Sequence, residues 1–147
     1  MVFCLQADNQ EHLFNQVANL LEERKIVTPS YRTALIEREK SFPTGLDMEF
    51  LGKDLPNVAI PHTDIEHNLA EKVVVVRLNQ AVTFHNMIAP DKEVEVSLLF
   101  FIINNSSSSQ TNILAQLMDF FTKNGNLDNL SKLANEDELY GYITKEI

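Results

Sequence analysis

Residues Val94 to Ile103 are almost unbrokenly apolar, rich in β-branched and aromatic side chains, and lack any recurrence at three- and four-residue steps. Side chains alternate across a strand, and here both sets are hydrophobic, so the pattern predicts a strand with two faces to cover. A chain containing such a strand must place a layer on either side of it. The strand is therefore expected near the centre of a sheet with helices packed against it.

The rest of the chain supplies those layers. From Asn9 to Lys25, Leu13, Phe14, Val17, Leu20 and Leu21 recur with helical spacing, and Asp8 is placed to cap the first turn. Thr28-Pro29 provides a cap and a proline at the first helical position, with Tyr31, Ala34, Leu35 and Phe42 along one face of a second helix. Pro43, Gly45, Gly52 and Pro56 interrupt any period and predict a long loop. That loop ends in a short strand over Asn57 to Ile60, stopped by Pro61. Val73 to Leu78 reads as a further strand, Ala81 to Phe84 as an edge strand and Asn86 to Lys92 as a turn. After a run of four serines, Ile113, Leu114, Leu117, Phe120 and Phe121 stripe a helix over Gln110 to Lys123, which Ser108 or Ser109 could cap. Shorter helices over Leu127 to Ala134 and Glu138 to Lys145 close the chain.

This order predicts an α/β fold, a mixed central sheet of four to five strands flanked by helices on both faces, in other words an α/β sandwich. The 147 residues show no repeat and no linker. One domain spanning 1–147 is expected, long enough to bury roughly 70% of its unfolded surface.

Charge and cysteine content narrow the function. Lys and Arg number 12 against 21 Asp and Glu, a formal net charge of −9, so no nucleic-acid ligand is expected. The same balance suits a partner protein with a basic docking patch. Cys4 is the sole cysteine, which leaves no internal disulfide and no multi-cysteine metal site and fits a reducing, cytoplasmic setting. The apolar runs fall far short of the ~20 residues that cross a bilayer, and Met1 to Gln10 lacks a basic leader, so no membrane insertion is expected.

His62 stands directly after Val58-Ala59-Ile60-Pro61, where a buried strand leaves the core. A ring there is held rigidly and remains reachable. Neutral imidazole, abundant near pH 7 with an ordinary pKa of about 6.5, is a competent nucleophile toward phosphorus. Position alone fits an ordinary hydrogen-bonded histidine as well.

Three segments go further: Arg38-Glu39-Lys40, Pro43-Thr44-Gly45-Leu46 and Val58-Ala59-Ile60-Pro61-His62-Thr63-Asp64. With them the chain resembles, over nearly its whole length, enzyme IIA domains of the bacterial phosphoenolpyruvate-dependent sugar phosphotransferase system, fructose/mannitol class, above all the galactitol-like branch. The resemblance implies a phosphotransferase component that needs no cofactor. The histidine after the proline, here His62, would accept a phosphoryl group from the histidine phosphocarrier protein and pass it to a IIB domain for uptake of galactitol or a related sugar or polyol. It also admits a regulatory IIA-like module whose phosphorylation state controls a target protein.

By the same match, Arg38 would supply a permanently charged fork for the phosphoryl oxygens. Thr44 and Thr63 would offer hydroxyl donors, and Asp64 would orient the ring from behind rather than touch phosphate. Gln110 falls near the helix start, where mannitol-type members carry a second histidine. Glutamine can donate a hydrogen bond to a phosphoryl oxygen but cannot carry charge or move a proton there.

Other groups weigh less. His62, Asp64, Glu66 and His67 carry usable metal ligands, but the two histidines lie five apart across a turn with no cysteine beside them, and no metal is expected. His12 reads as a helix-surface residue and His85 as a turn residue. The Leu114, Leu117, Phe120 and Phe121 stripe belongs in the core. Leu46, Met48 and Phe50 are expected as an apolar rim that excludes water beside His62.

Overall fold

The structure is a computed structural model that describes residues 1–49, 55–123 and 125–146, without the side chains of 107–111 and 146. Its strands are β1 (Val2–Leu5), β2 (Gly45–Leu46), β3 (Asn57–Ala59), β4 (Lys72–His85) and β5 (Glu93–Ile103). Its helices are α1 (Gln10–Glu23), α2 (Tyr31–Ser41), α3 (Ser107–Thr122), α4 (Asn126–Lys132) and α5 (Glu136–Glu146). The strands form one five-stranded sheet in the order β1-β4-β5-β3-β2. β1 runs parallel to β4 and β3 parallel to β5, while β4 and β5 are antiparallel, as are β2 and β3.

The unbroken apolar run is thus the third of five strands, and its alternate side chains feed two separate cores. Leu99, Phe101 and Ile103 join Leu13, Phe14, Val17, Leu21, Tyr31 and Leu35 beneath α1 and α2. Leu98, Phe100 and Ile102 join Leu117, Phe120, Phe121 and Leu130 beneath α3 and α4. Aromatic pairs mark both layers, edge-on where Phe14 lies 5.8 Å from Phe84 and 5.9 Å from Phe101 on one side, and tilted where Phe100 lies 4.8 Å from Phe121 on the other. This is the expected α/β sandwich.

Several local expectations are corrected. Val2–Leu5 is a strand, and Gly45–Leu46 forms another inside the stretch read as loop. Val73 to Leu78 and Ala81 to Phe84 belong to one long strand, β4, whose register breaks between Arg77 and Val82. β1 reaches only Val75 to Leu78, so among the described residues Val82 to His85 pair in the sheet with β5 alone, and the expected edge position holds for that half of β4. Asn9, not Asp8, caps α1 by accepting from the His12 amide at 2.8 Å. α3 starts within the serine run, with Ser106 at the cap position. Phe42 lies past the end of α2 and is 63% exposed, so it leaves the apolar face it was expected to extend.

At the far edge, β2 turns back to meet the end of β4. Gly45 bridges Asn86, and its carbonyl accepts from the Met87 amide at 2.8 Å. A Cβ at Gly45 would sit 2.7 Å from the His85 carbonyl oxygen, so only glycine allows this approach. At the other edge, Glu136 Oε1 accepts from the backbone amide of Cys4 at 2.9 Å. Among the described residues no helix is long and apolar enough to cross a membrane.

Candidate functional site

His62 lies just past β3 and is still registered on the central strand. Ile102 donates its amide to the Pro61 carbonyl at 3.1 Å, and His62 itself forms a parallel bridge to Ile102. The ring is half-buried at the lip of the sheet. Its Nδ1 lies 2.8 Å from the Ile60 carbonyl oxygen. A carbonyl can only accept, so in the neutral ring Nδ1 carries the proton and Nε2 the lone pair.

Arg38 faces that lone pair. Its Nη2 is 3.4 Å from His62 Nε2, its Nη1 is 3.5 Å from Asp64 Oδ1, and its guanidinium carbon lies 5.2 Å from the centre of the Phe42 ring. The helix explains the placement: α2 buries Tyr31, Leu35 and Glu39 at steps of four, which turns the neighbouring Arg38 toward the end of β3. Burial pulls the His62 pKa below its ordinary value, and the Arg38 charge pulls the same way. The Ile60 carbonyl and Asp64 oppose them without prevailing. The result is an imidazole held neutral, with its free nitrogen turned to a cation.

The remaining expected residues divide. Asp64 is brought to the site but contacts Arg38, and the group that orients the ring is the Ile60 carbonyl. Thr63 is buried, its hydroxyl directed to the Asp64 carbonyl at 3.0 Å and to Asn68 Oδ1 at 3.4 Å, within its own turn. Thr44 is also buried, and its hydroxyl donates to Glu39 Oε1 at 2.8 Å rather than pointing at Nε2. The backbone at Gln110 lies in the first turns of α3, and its side chain is outside the described residues.

Leu46 and Met48 are buried in the α3–α4 core and do not form a rim, a correction that follows from β2 pairing with β3. Phe50 lies outside the described residues. Exposed apolar surface is supplied by Phe42 and, in the segment after His62, by Ile65 and Leu69. An open hollow of about 310 Å³ beside Arg38 is lined by Phe42, Asp64 and His67 among others. A larger hollow of about 380 Å³ lies between the β1–β4 edge and helices α3 and α5, with mostly apolar walls, and holds none of these groups.

His67 is engaged elsewhere, with Nδ1 2.7 Å from Ser30 Oγ and Nε2 3.6 Å from Glu66. Among the described residues no group of three or more His, Cys, Asp or Glu comes together to hold a metal.

Sequence reasoning missed Glu39 as a functional candidate in its own right. It is 5% exposed, and its two carboxylate oxygens accept from the Thr44 amide at 2.7 Å and the Thr44 hydroxyl at 2.8 Å. Burial pushes its pKa up to about 7, against the two Thr44 hydrogen bonds and the Arg38 charge, which lower it. The signal was present in the spacing, since Glu39 stands four residues beyond Leu35 and eight beyond Tyr31 on the same face.

Comparison with known proteins bears on the fold and the family of the chain. The galactitol-specific EIIA component of Escherichia coli K12 is 26% identical over 139 residues, covering 95% of this chain and 88% of that protein. The crystal structure of IIA mannitol from Escherichia coli superposes with a TM-score of 0.75 at 20% identity, covering 97% of this chain and 94% of that one. The Escherichia coli complex of enzyme IIA mannitol with phosphorylated enzyme IIB mannitol gives a TM-score of 0.69 at 21% identity, covering 98% of this chain and 94% of that one. At such identities the two structures establish the shared fold. The profile described as phosphoenolpyruvate-dependent sugar phosphotransferase system, EIIA 2, matches residues 1–146, and the chain belongs to that family.

Proposed function

We propose that the chain is a phosphoryl carrier in which His62 Nε2 is the atom phosphorylated. The observation that carries this reading is the pairing of two contacts on one ring: Nδ1 on the Ile60 carbonyl, and Nε2 facing Arg38. The donor is the histidine phosphocarrier protein. As the Nε2 lone pair forms its bond to phosphorus, the bond from phosphorus to the donor's histidine nitrogen breaks, and that nitrogen recovers its electron pair. No proton need leave His62, because Nε2 has none to lose. The ring gains positive character in the transfer, and the Ile60 carbonyl steadies the Nδ1–H that shares it.

Phosphoryl transfer is accelerated chiefly by alignment and by cations on the equatorial oxygens. Arg38 serves as that cation after a small rotation from Nε2 toward the incoming oxygens, with Asp64 restraining its other nitrogen. Gln110 is a further hydrogen-bond donor to the phosphoryl group. Thr44 and Thr63 act by holding the two loops rather than by touching phosphate. Phe42, packed beside Arg38, offers exposed apolar surface against which a protein partner excludes water.

The acceptor is a IIB domain, by analogy with the mannitol complex, and the transported compound is galactitol or a related sugar or polyol, by likeness to the Escherichia coli relative. Incubation with phosphoenolpyruvate, enzyme I and the histidine phosphocarrier protein should add about 80 Da, one acid-labile phosphoryl group on nitrogen. The gain should be absent in His62→Gln. A wild-type chain that never gains this mass would overturn the proposal. Onward transfer to a galactitol-system IIB protein in preference to a mannitol-system one would support the choice of sugar, and the reverse preference would refute it.

A further inference from the structure

Glu39 occupies the third place of an otherwise apolar stripe, after Tyr31 and Leu35. A leucine or methionine there would fill the core without the desolvation that a buried carboxylate incurs. Packing therefore does not account for it. Its contacts do: both oxygens close on one residue, Thr44, through the backbone amide and the hydroxyl. From Thr44 the hydrogen bonds continue. The Thr44 carbonyl accepts from the Ile60 amide at 3.3 Å, and the Ile60 carbonyl receives His62 Nδ1–H at 2.8 Å. At its other end the chain of contacts is covalent, since Glu39 is the residue after Arg38.

One buried side chain thus joins the helix that bears the cation to the strand end that bears the nucleophile. We propose that Glu39 is a positioning residue for phosphoryl transfer, holding Arg38 and the ring of His62 in register through Thr44 and Ile60. The proposal rests on the reading of His62 given above. Near-attack geometry is sensitive to displacements on the order of 1 Å, and a clamp of this kind fixes position and tautomer together.

The clamp needs two acceptor or donor positions in a plane, not a charge. In Glu39→Gln the amide oxygen can accept from the Thr44 amide while the amide nitrogen donates to the Thr44 hydroxyl, so both bonds survive with one reversed. Glu39→Leu fills similar space and makes neither.

Two measurements on the full chain test this. Nitrogen-15 spectra of the His62 ring, read without any donor protein, report which nitrogen carries the proton. Initial rates of phosphoryl acceptance from the phosphorylated histidine phosphocarrier protein report the transfer. Wild type should show the Nδ1–H tautomer. Glu39→Leu should give a mixed tautomer signal and a rate lower by about 10- to 100-fold, whereas Glu39→Gln should keep the wild-type tautomer and at least about a third of the rate.

If Glu39→Leu does not fold, Thr44→Val decides: it deletes one of the two bonds and should slow transfer by about threefold with a partial tautomer change. A folded Glu39→Leu, or in its absence Thr44→Val, with wild-type ring signals and rate would overturn the proposal. A wild-type chain that accepts no phosphoryl group would instead overturn the reading of His62, and the ring spectra would still decide whether Glu39 orients it.

Discussion

Arg38 Nη2 and His62 Nε2 lie 3.4 Å apart, although 24 residues separate them along the chain. One comes from the last turns of α2 and the other from the end of β3, and the sheet brings them together. The charge is held permanently on one side of the contact and excluded by burial from the other.

Replacing the guanidinium should therefore affect the reaction more than the fold. Arg38→Ala should slow phosphoryl acceptance by about 10- to 100-fold, and Arg38→Lys, which keeps the charge but not the fork, should recover only part of it. Rapid-quench measurement of phosphorylated protein gives the rates. Equal rates for Arg38→Ala and wild type would remove Arg38 from the site.

The neutral ring sets a pH dependence. The His62 pKa is lowered in the folded chain, so acceptance should rise with pH through a value below 6.5 and be flat by pH 7. The same shift acts on stability. The unfolded chain binds this proton more readily, so the contribution of His62 to stability is present above its unfolded pKa and is lost as pH falls below it. Titration of the ring by NMR fixes the midpoint, and one above 6.5 would contradict the burial argument.

Glu39 acts with the opposite sign. Its folded pKa of about 7 lies above the ordinary 4.5, so the folded state holds the proton more tightly. Stability from this group is complete below pH 4.5 and declines as pH rises through 7. Relative to Glu39→Gln, in which His62 is unchanged and cancels, wild type should lose on the order of 2–3 kcal/mol between pH 5 and pH 8. Urea unfolding of both proteins at the two pH values measures the difference, and parallel pH profiles would refute it.

Gly45→Ala should destabilise the chain by about 2 kcal/mol or more, because the new methyl group would meet a backbone carbonyl that cannot turn away. The midpoint of chemical denaturation is the measurement. A variant as stable as wild type would show that β2 can move off the end of β4 without penalty.

Phe42 is exposed, so Phe42→Ala should change unfolding free energy by less than about 0.5 kcal/mol. Its effect should fall on partner binding. The KM for the phosphorylated donor protein should rise about threefold or more with a smaller change in kcat, as expected for a rim aromatic. An unchanged KM would place the docking surface elsewhere.

The layered fold was legible because Leu98 to Ile103 admits no other environment than a covered strand, and because Leu13 to Leu21 repeats with a clear helical step. The short strands were not. Gly45–Leu46 has two residues, too few for any alternation, and exists because Thr44 and Gly45 dock onto Ile60, Ala59 and Asn86. Leu46 and Met48 were misplaced for the same reason, since pairing with β3 turns them inward. At the site, His62 and Arg38 could be named from the resemblance. The ring's orienting partner could not, because it is a backbone carbonyl, a group present at every position and distinguished only by geometry.

The bond from Glu136 to the Cys4 amide closes the outer margin of β1. Arg77, reaching from β4 to the carbonyls of Leu130 and Leu133, moors the end of α4 near the same border. Stripping away the last helix would therefore bare an adhesive seam along β1, and the shortened chain should be prone to zip onto its own copies.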